Sequence, residues 1–179
     1  MAVALLLADG FEEVEALTPL DVLRRAGVTV DTVGITGKSV TGGHGITVTA
    51  DKTVTEAAVS DYDTVILPGG LLGTENLDKS PFTDEILGHI TSSGGRIAAI
   101  CAAPTILGRR GLLKGLRAVC YPGMEDALTG AVRDTAGVVT DKNVTTARGM
   151  GVALEFAKEL VRLLVSDAAA EKISKSIAE

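Results

Sequence analysis

The stretch Arg96–Arg110, RIAAICAAPTILGRR, decides how the chain reads. Arg96–Ile100 is a short apolar run of the kind buried on both faces of a parallel sheet. Ala103–Arg109 has the composition of a helix. Between them stands Cys101 on a sharp turn. Strand, tight turn and helix in succession form the repeating unit of α/β folds. A residue on such a corner projects its side chain away from the turn, as the serine of α/β-hydrolases does. The free amides and dipole of the following helix favour a thiolate there. The plainer alternative is a small apolar residue filling a tight turn.

Composition supports the same class. The chain has 179 residues, 46% hydrophobic and 22% charged, with aromatic residues at 3% and no Trp. One domain spanning 1–179 and a core of Val, Leu, Ile and Ala are expected. The formal net charge is −6 and no basic cluster is visible, which argues against a nucleic-acid or membrane-surface partner. Two cysteines make no disulfide framework, so free thiols in the cytoplasm are expected. MAVALLLADG lacks a basic region and a cleavage pattern and reads as a first strand rather than a leader.

Outward from the central corner, strands and helices alternate. Ala2–Leu7 is an apolar strand. Phe11–Ala26 is a helix with Val14, Leu17, Val22 and Leu23 on its buried side, kinked or restarted at Pro19. Thr29–Ile35 is a second strand. Lys38–Ala50, around Gly42-Gly43-His44-Gly45, is a small hairpin at a sheet edge or beside the main sheet. Val54–Val59 is a helix candidate. Tyr62–Leu67 is a strand stopped by Pro68-Gly69-Gly70, Asn76–Ser80 a turn, and Pro81–Ser92 a helix. Leu116–Cys120 is a strand closed by Tyr121-Pro122-Gly123, and Met124–Leu128 is one helical turn. Gly137–Thr140 and Val144–Ala147 pair around Asp141-Lys142-Asn143. Helices Val152–Val165 and Ala168–Ile177 end the chain. The pattern implies a right-handed, doubly wound, mostly parallel sheet sandwiched by helices.

In such sheets functional groups gather at the carboxyl ends of the strands. The ends here offer Glu12, Glu13 and Glu15, then Gly69 and Gly70, then Cys101, then Tyr121. The amides of Ala102 and Gly70 can converge on one oxyanion position near the sulfur. One of the three glutamates can reach Cys101 and share a proton with it, and spacing does not say which. Acids in a first helical turn also have a capping explanation. Cys120 lies within a strand and reads as inert. The two histidines, His44 and His89, suggest no metal site, and no phosphate-binding loop is present.

The pieces ALLLADGFEEVEALTPLDVLRRAG, YDTVILPGGLLGTENL, IAAICAAPTIL and TTARGMGVALEFAKELV resemble the DJ-1/ThiJ/PfpI superfamily, most closely its DJ-1-like branch. The resemblance covers nearly the whole chain. It implies a flavodoxin-like fold, a homodimer and no cofactor. It implies Cys101 as nucleophile and Glu15 as the protonated carboxyl beside it. The Gly70 and Ala102 amides take the oxyanion position, and Arg25 lies near a dimer-side pocket. The implied activity is glutathione-independent conversion of methylglyoxal, a small aldehyde, to lactate, with deglycase activity on early glycation adducts also attributed to the family. The other implied theme is a redox-responsive stress protein or chaperone whose cysteine oxidises to sulfinate. Animal members carry a histidine before a proline where this chain has Tyr121 before Pro122. A phenol is a poor base at pH 7, so Tyr121 is expected to orient substrate or donate a hydrogen bond, and if the histidine is needed for proton transfer, Glu15 must supply it or turnover is slow.

Overall fold

A computed structural model of the chain describes residues 2–178. In chain order the elements are β1 (Ala2–Leu7), α1 (Glu13–Arg25), β2 (Thr29–Gly34), β3 (Ser39–Thr41), β4 (Thr47–Thr49), β5 (Lys52–Thr53), β6 (Thr64–Leu67), α2 (Leu71–Lys79), α3 (Pro81–Ser93), β7 (Arg96–Ile100), α4 (Pro104–Arg109), β8 (Arg117–Ala118), β9 (Val132–Arg133), β10 (Val138–Asp141), β11 (Val144–Ala147), α5 (Ala153–Leu164) and α6 (Asp167–Ser176). The main sheet has the order β10-β11-β7-β6-β1-β2-β5. Every neighbouring pair is parallel except β10 with β11. The fold is α/β, with a mostly parallel central sheet flanked by helices.

Side chains alternate across the strands, so each strand feeds two cores. Ala4, Leu6, Val65, Leu67, Ile97 and Ala99 meet Leu77 of α2, Ile86 and Ile90 of α3, and Ile106 of α4. Leu5, Leu7, Ile66, Ala98 and Ile100 meet Leu23 of α1 and Phe156, Leu160 and Val161 of α5. With both faces covered, the strands can be continuous apolar runs.

Several local expectations change. Helix α1 runs unbroken through Pro19. Its buried side carries Glu13, Glu15, Ala16, Pro19, Val22 and Leu23, while Val14 is exposed. Two acids therefore face inward where the apolar pattern placed Val14 and Leu17. Helix α2 takes up most of the stretch expected as a turn at Asn76–Ser80; it starts without a side-chain cap, and Leu71 and Leu72 on it are exposed, which blurs its periodicity. Val54–Val59 is not a helix; only a 3-10 turn at Val59–Asp61 follows it. The strand expected over Leu116–Cys120 shrinks to Arg117–Ala118, paired with β9 outside the main sheet. Side chains there take the backbone donors: Arg117 N donates to Asp141 Oδ2 at 2.8 Å and Val119 N to Thr146 Oγ1 at 3.0 Å.

Candidate active site

Four loops at the carboxyl ends of β1, β6, β7 and β11 converge. The order β6-β1-β2 puts the switch point of the sheet between β1 and β6, the usual place for a ligand. The corner after β7 is strained. Cys101 has φ 65, the left-handed region that residues with side chains avoid. Holding it there costs about 1–3 kcal/mol. Two hydrogen bonds fix it: Cys101 N donates to Ala147 O at 2.9 Å, and Cys101 O accepts from Tyr121 N at 2.8 Å.

Cys101 Sγ accepts from the amides of Gly70 and Ala102 and hydrogen-bonds the Glu15 carboxyl. Glu15 is 1% exposed. Its Oε2 accepts from Gly69 N at 3.1 Å, and the Met150 amide also donates to the carboxyl. Four amides thus serve two acidic groups in contact. Gly69 must lack a side chain: a Cβ there would lie 2.3 Å from Glu15 Oε2 and 2.5 Å from Cys101 Cβ.

Burial pushes the Glu15 carboxyl up to about 7. Burial first, and the Glu15 charge next, push the Cys101 thiol up to about 12. This corrects the expectation that the helix end alone lowers the thiol. Helix α4 starts only at Pro104 and is 6 residues long, so its dipole is short and set back. The two groups share one negative charge over a wide pH range, and either can hold the remaining proton.

The three glutamates divide their tasks. Glu12 caps α1, its Oε2 accepting from Glu15 N at 2.9 Å. Glu13 clamps the β3–β4 hairpin: its carboxylate accepts from His44 N at 2.7 Å and Ile46 N at 3.4 Å and meets His44 Nδ1 at 2.8 Å. These bonds hold the Glu13 carboxyl below its ordinary value, and Glu13 raises His44. The Glu12, Glu13 and His44 donor atoms lie within 4.8 Å of one another, a spacing that could admit a metal ion. Amides already engage both carboxylates. Glu15 alone reaches the cysteine.

Arg25 stands outside this constellation, at the far end of α1, where Nε donates to Asp21 Oδ2 at 2.6 Å. Tyr121 is tied to the corner through its backbone and is 52% exposed. Arg148-Gly149-Met150-Gly151 joins β11 to α5. The structure brings it over the thiol: a Cβ on Gly149 would lie 3.9 Å from Cys101 Sγ and 3.6 Å from Glu15 Oε1. A glycine-rich loop at a strand's carboxyl end was the available signal.

The family description that matches residues 1–163 is "DJ-1/PfpI family". The chain belongs to the DJ-1/PfpI family. It is 38% identical over 173 residues to the Parkinson disease protein 7 homolog of Danio rerio, covering 94% of this chain and 92% of that protein. It is 35% identical over 166 residues to a deglycase of Pyrococcus abyssi, covering 92% of this chain and 99% of that one. The crystal structure of a cysteine-to-alanine mutant of a DJ-1 superfamily protein from Salmonella typhimurium matches with TM-score 0.93 and 37% identity, covering 99% and 97% of the two chains. A structure of Toxoplasma gondii DJ-1, described as oxidized, matches with TM-score 0.94 and 33% identity over 99% and 97%. As a DJ-1/PfpI family member, the chain has the α/β fold of these neighbours.

Proposed function

We propose that this protein is a cofactor-independent cysteine enzyme that converts methylglyoxal to lactate and extends this chemistry to early glycation adducts. The observation that carries the reading is the buried contact of Cys101 with Glu15, four amides around it. Glu15 takes the thiol proton, and Cys101 Sγ attacks the aldehyde carbon. The carbonyl electron pair moves to oxygen, and the new hemithioacetal oxygen is met by the Gly70 and Ala102 amides. Glu15 passes the thiol proton to that oxygen, then removes the proton from the attacked carbon and delivers it to the neighbouring carbonyl oxygen, leaving an enediol. Glu15 then takes the hydroxyl proton of the sulfur-bearing carbon and delivers a proton to the second carbon, and the new carbonyl completes a lactoyl thioester. Water cleaves it to lactate and restores the thiol. One carbon is oxidised and the next reduced, so no cofactor enters the balance. The relative named deglycase supports the extension to adducts.

The test is lactate formation from methylglyoxal without glutathione. Activity in the wild type and its loss in Cys101→Ser are expected; equal activity in both would overturn the mechanism.

A second role rests on the same sulfur. Hydrogen peroxide would oxidise the thiolate to sulfenate with release of water, and a second peroxide would carry it to sulfinate. The relative whose structure is described as oxidized supports this reading. Under mild peroxide, mass spectrometry should find Cys101 oxidised before the buried Cys120; the reverse order would sink it.

A homodimer is the partner this reading expects. Val14, Leu17, Ile46, Leu154 and Ile177 line one open apolar depression, with Val14 and Ile46 exposed. A second copy would cover it. Free Cys101 and Cys120 support a cytoplasmic location. No helix among the described residues is long and apolar enough to cross a membrane.

A further inference from the structure

We propose that the trough beside Cys101, floored by Gly149 and walled by Tyr121 and Met150, is a subsite for an apolar or aromatic substituent on the reacting carbonyl, and that Gly149 sets how large that substituent can be. The inference rests on the reading of Cys101 as nucleophile and deepens it by naming the substrate class.

A cavity of about 440 Å³ is lined by Tyr121, Pro122, Gly137, Gly149, Met150 and Val152 among others. Among its lining residues, Gly149 borders the thiol. The point where a Gly149 Cβ would stand lies 3.9 Å from Cys101 Sγ, 3.6 Å from Glu15 Oε1 and 3.5 Å from Tyr121 Cδ2. A group carried by a carbonyl carbon bonded to Sγ must pass this point, where sulfur, carboxyl and ring meet. Gly149 has φ 155, which side-chain-bearing residues rarely adopt, so the floor stays open.

Arg148, exposed, also lines the cavity, while Tyr121 and Met150 give it apolar walls left half in solvent. Tyr121 is 52% and Met150 54% exposed. Each is anchored through its backbone to one member of the reactive pair: Tyr121 N donates to Cys101 O, and Met150 N to the Glu15 carboxyl. The walls therefore keep station with the thiol and the proton acceptor, as a preorganised subsite requires. A phenol ring and a thioether suit an aromatic or branched apolar group. A methyl group such as that of methylglyoxal leaves most of the trough empty. The fitting substrates are carbonyl compounds with larger apolar substituents.

The experiment compares alkylation of Cys101 by iodoacetamide and by N-benzyl iodoacetamide, with the modified residue identified by peptide mass mapping. The benzyl-to-parent rate ratio is referred to the same ratio for glutathione, so general changes in thiol reactivity cancel. The expected ratio in the wild type is on the order of 10-fold above glutathione, the size of one small-group discrimination in an apolar pocket. It should fall to the glutathione ratio in Gly149→Ala and several-fold in Tyr121→Ala. The second variant keeps the test decisive if the first strains the loop. A wild-type ratio equal to that of glutathione, or one that both variants leave intact, overturns the subsite. Lactate formation is measured separately. A high ratio without turnover would leave the subsite standing and remove the proposed reaction; turnover with a ratio of one would do the opposite.

Discussion

Gly69 separates Glu15 from Cys101 by the width of a glycine. Its amide donates to Glu15 Oε2 at 3.1 Å, and a Cβ in its place would lie 2.3 Å from that oxygen. The same Cβ would lie 2.5 Å from Cys101 Cβ. The contact of acid and thiol thus depends on a backbone 54 residues along from the acid.

Gly69→Ala should therefore push both groups apart. Overpacking of this kind costs about 1–3 kcal/mol. Chemical denaturation should show that loss, and Cys101 alkylation should lose its dependence on Glu15. Gly88, exposed in α3 with nothing within 4 Å of its Cβ position, is the control. There Gly→Ala should stabilise the protein by about 0.5–1 kcal/mol through helix propensity. Equal losses at the two sites would contradict the geometry.

Glu15 makes stability depend on pH in a defined direction. Its carboxyl is raised from 4.5 to about 7 in the fold. The folded state then binds the proton more tightly than the unfolded state. Stability from this group is complete below about 4.5 and is lost as pH rises through about 7. The loss amounts to roughly 3 kcal/mol for a shift of this size. Glu15→Gln cannot ionise, so its melting temperature should exceed that of the wild type at pH 8 and lose the advantage at pH 4. A wild type more stable than Glu15→Gln at pH 8 would contradict the burial argument.

Glu13 acts on the hairpin and not on the thiol. Glu13→Ala removes the acceptor of the His44 and Ile46 amides. Each amide left unpaired under partial burial costs about 1–3 kcal/mol. Hydrogen exchange at both amides should accelerate at least 10-fold, while Cys101 alkylation keeps its pH profile. Unchanged exchange would show that the hairpin is held by something else.

The layered fold was legible because strands such as Ala2–Leu7 and Arg96–Ile100 are apolar on both faces, which only a covered parallel sheet satisfies. Cys101 was legible because a strand-turn-helix corner exposes whatever residue it carries. Helix α2 was not, since it lacks a cap and exposes Leu71 and Leu72. Neither was the inward turn of Glu13 and Glu15, because periodicity assigns the buried face to apolar residues and functional acids invert it. The thiol's direction of shift was also out of reach. It is set by burial and by Glu15, and both arise from contacts distant in sequence. Gly149 and Met150 escaped because a loop after a strand shows its glycine but not what that glycine faces.

Glu15 governs the Cys101 thiol, and the pH profile of Cys101 alkylation by iodoacetamide reads that control. The wild-type rate should rise through an inflection near the Glu15 value of about 7, because losing one proton from the pair opens the thiolate form, then level until the thiol itself titrates toward about 12. In Glu15→Gln that inflection should vanish and leave a single thiol titration. The same inflection near 7 in both proteins, or a single inflection in the ordinary thiol range in both, would contradict the account.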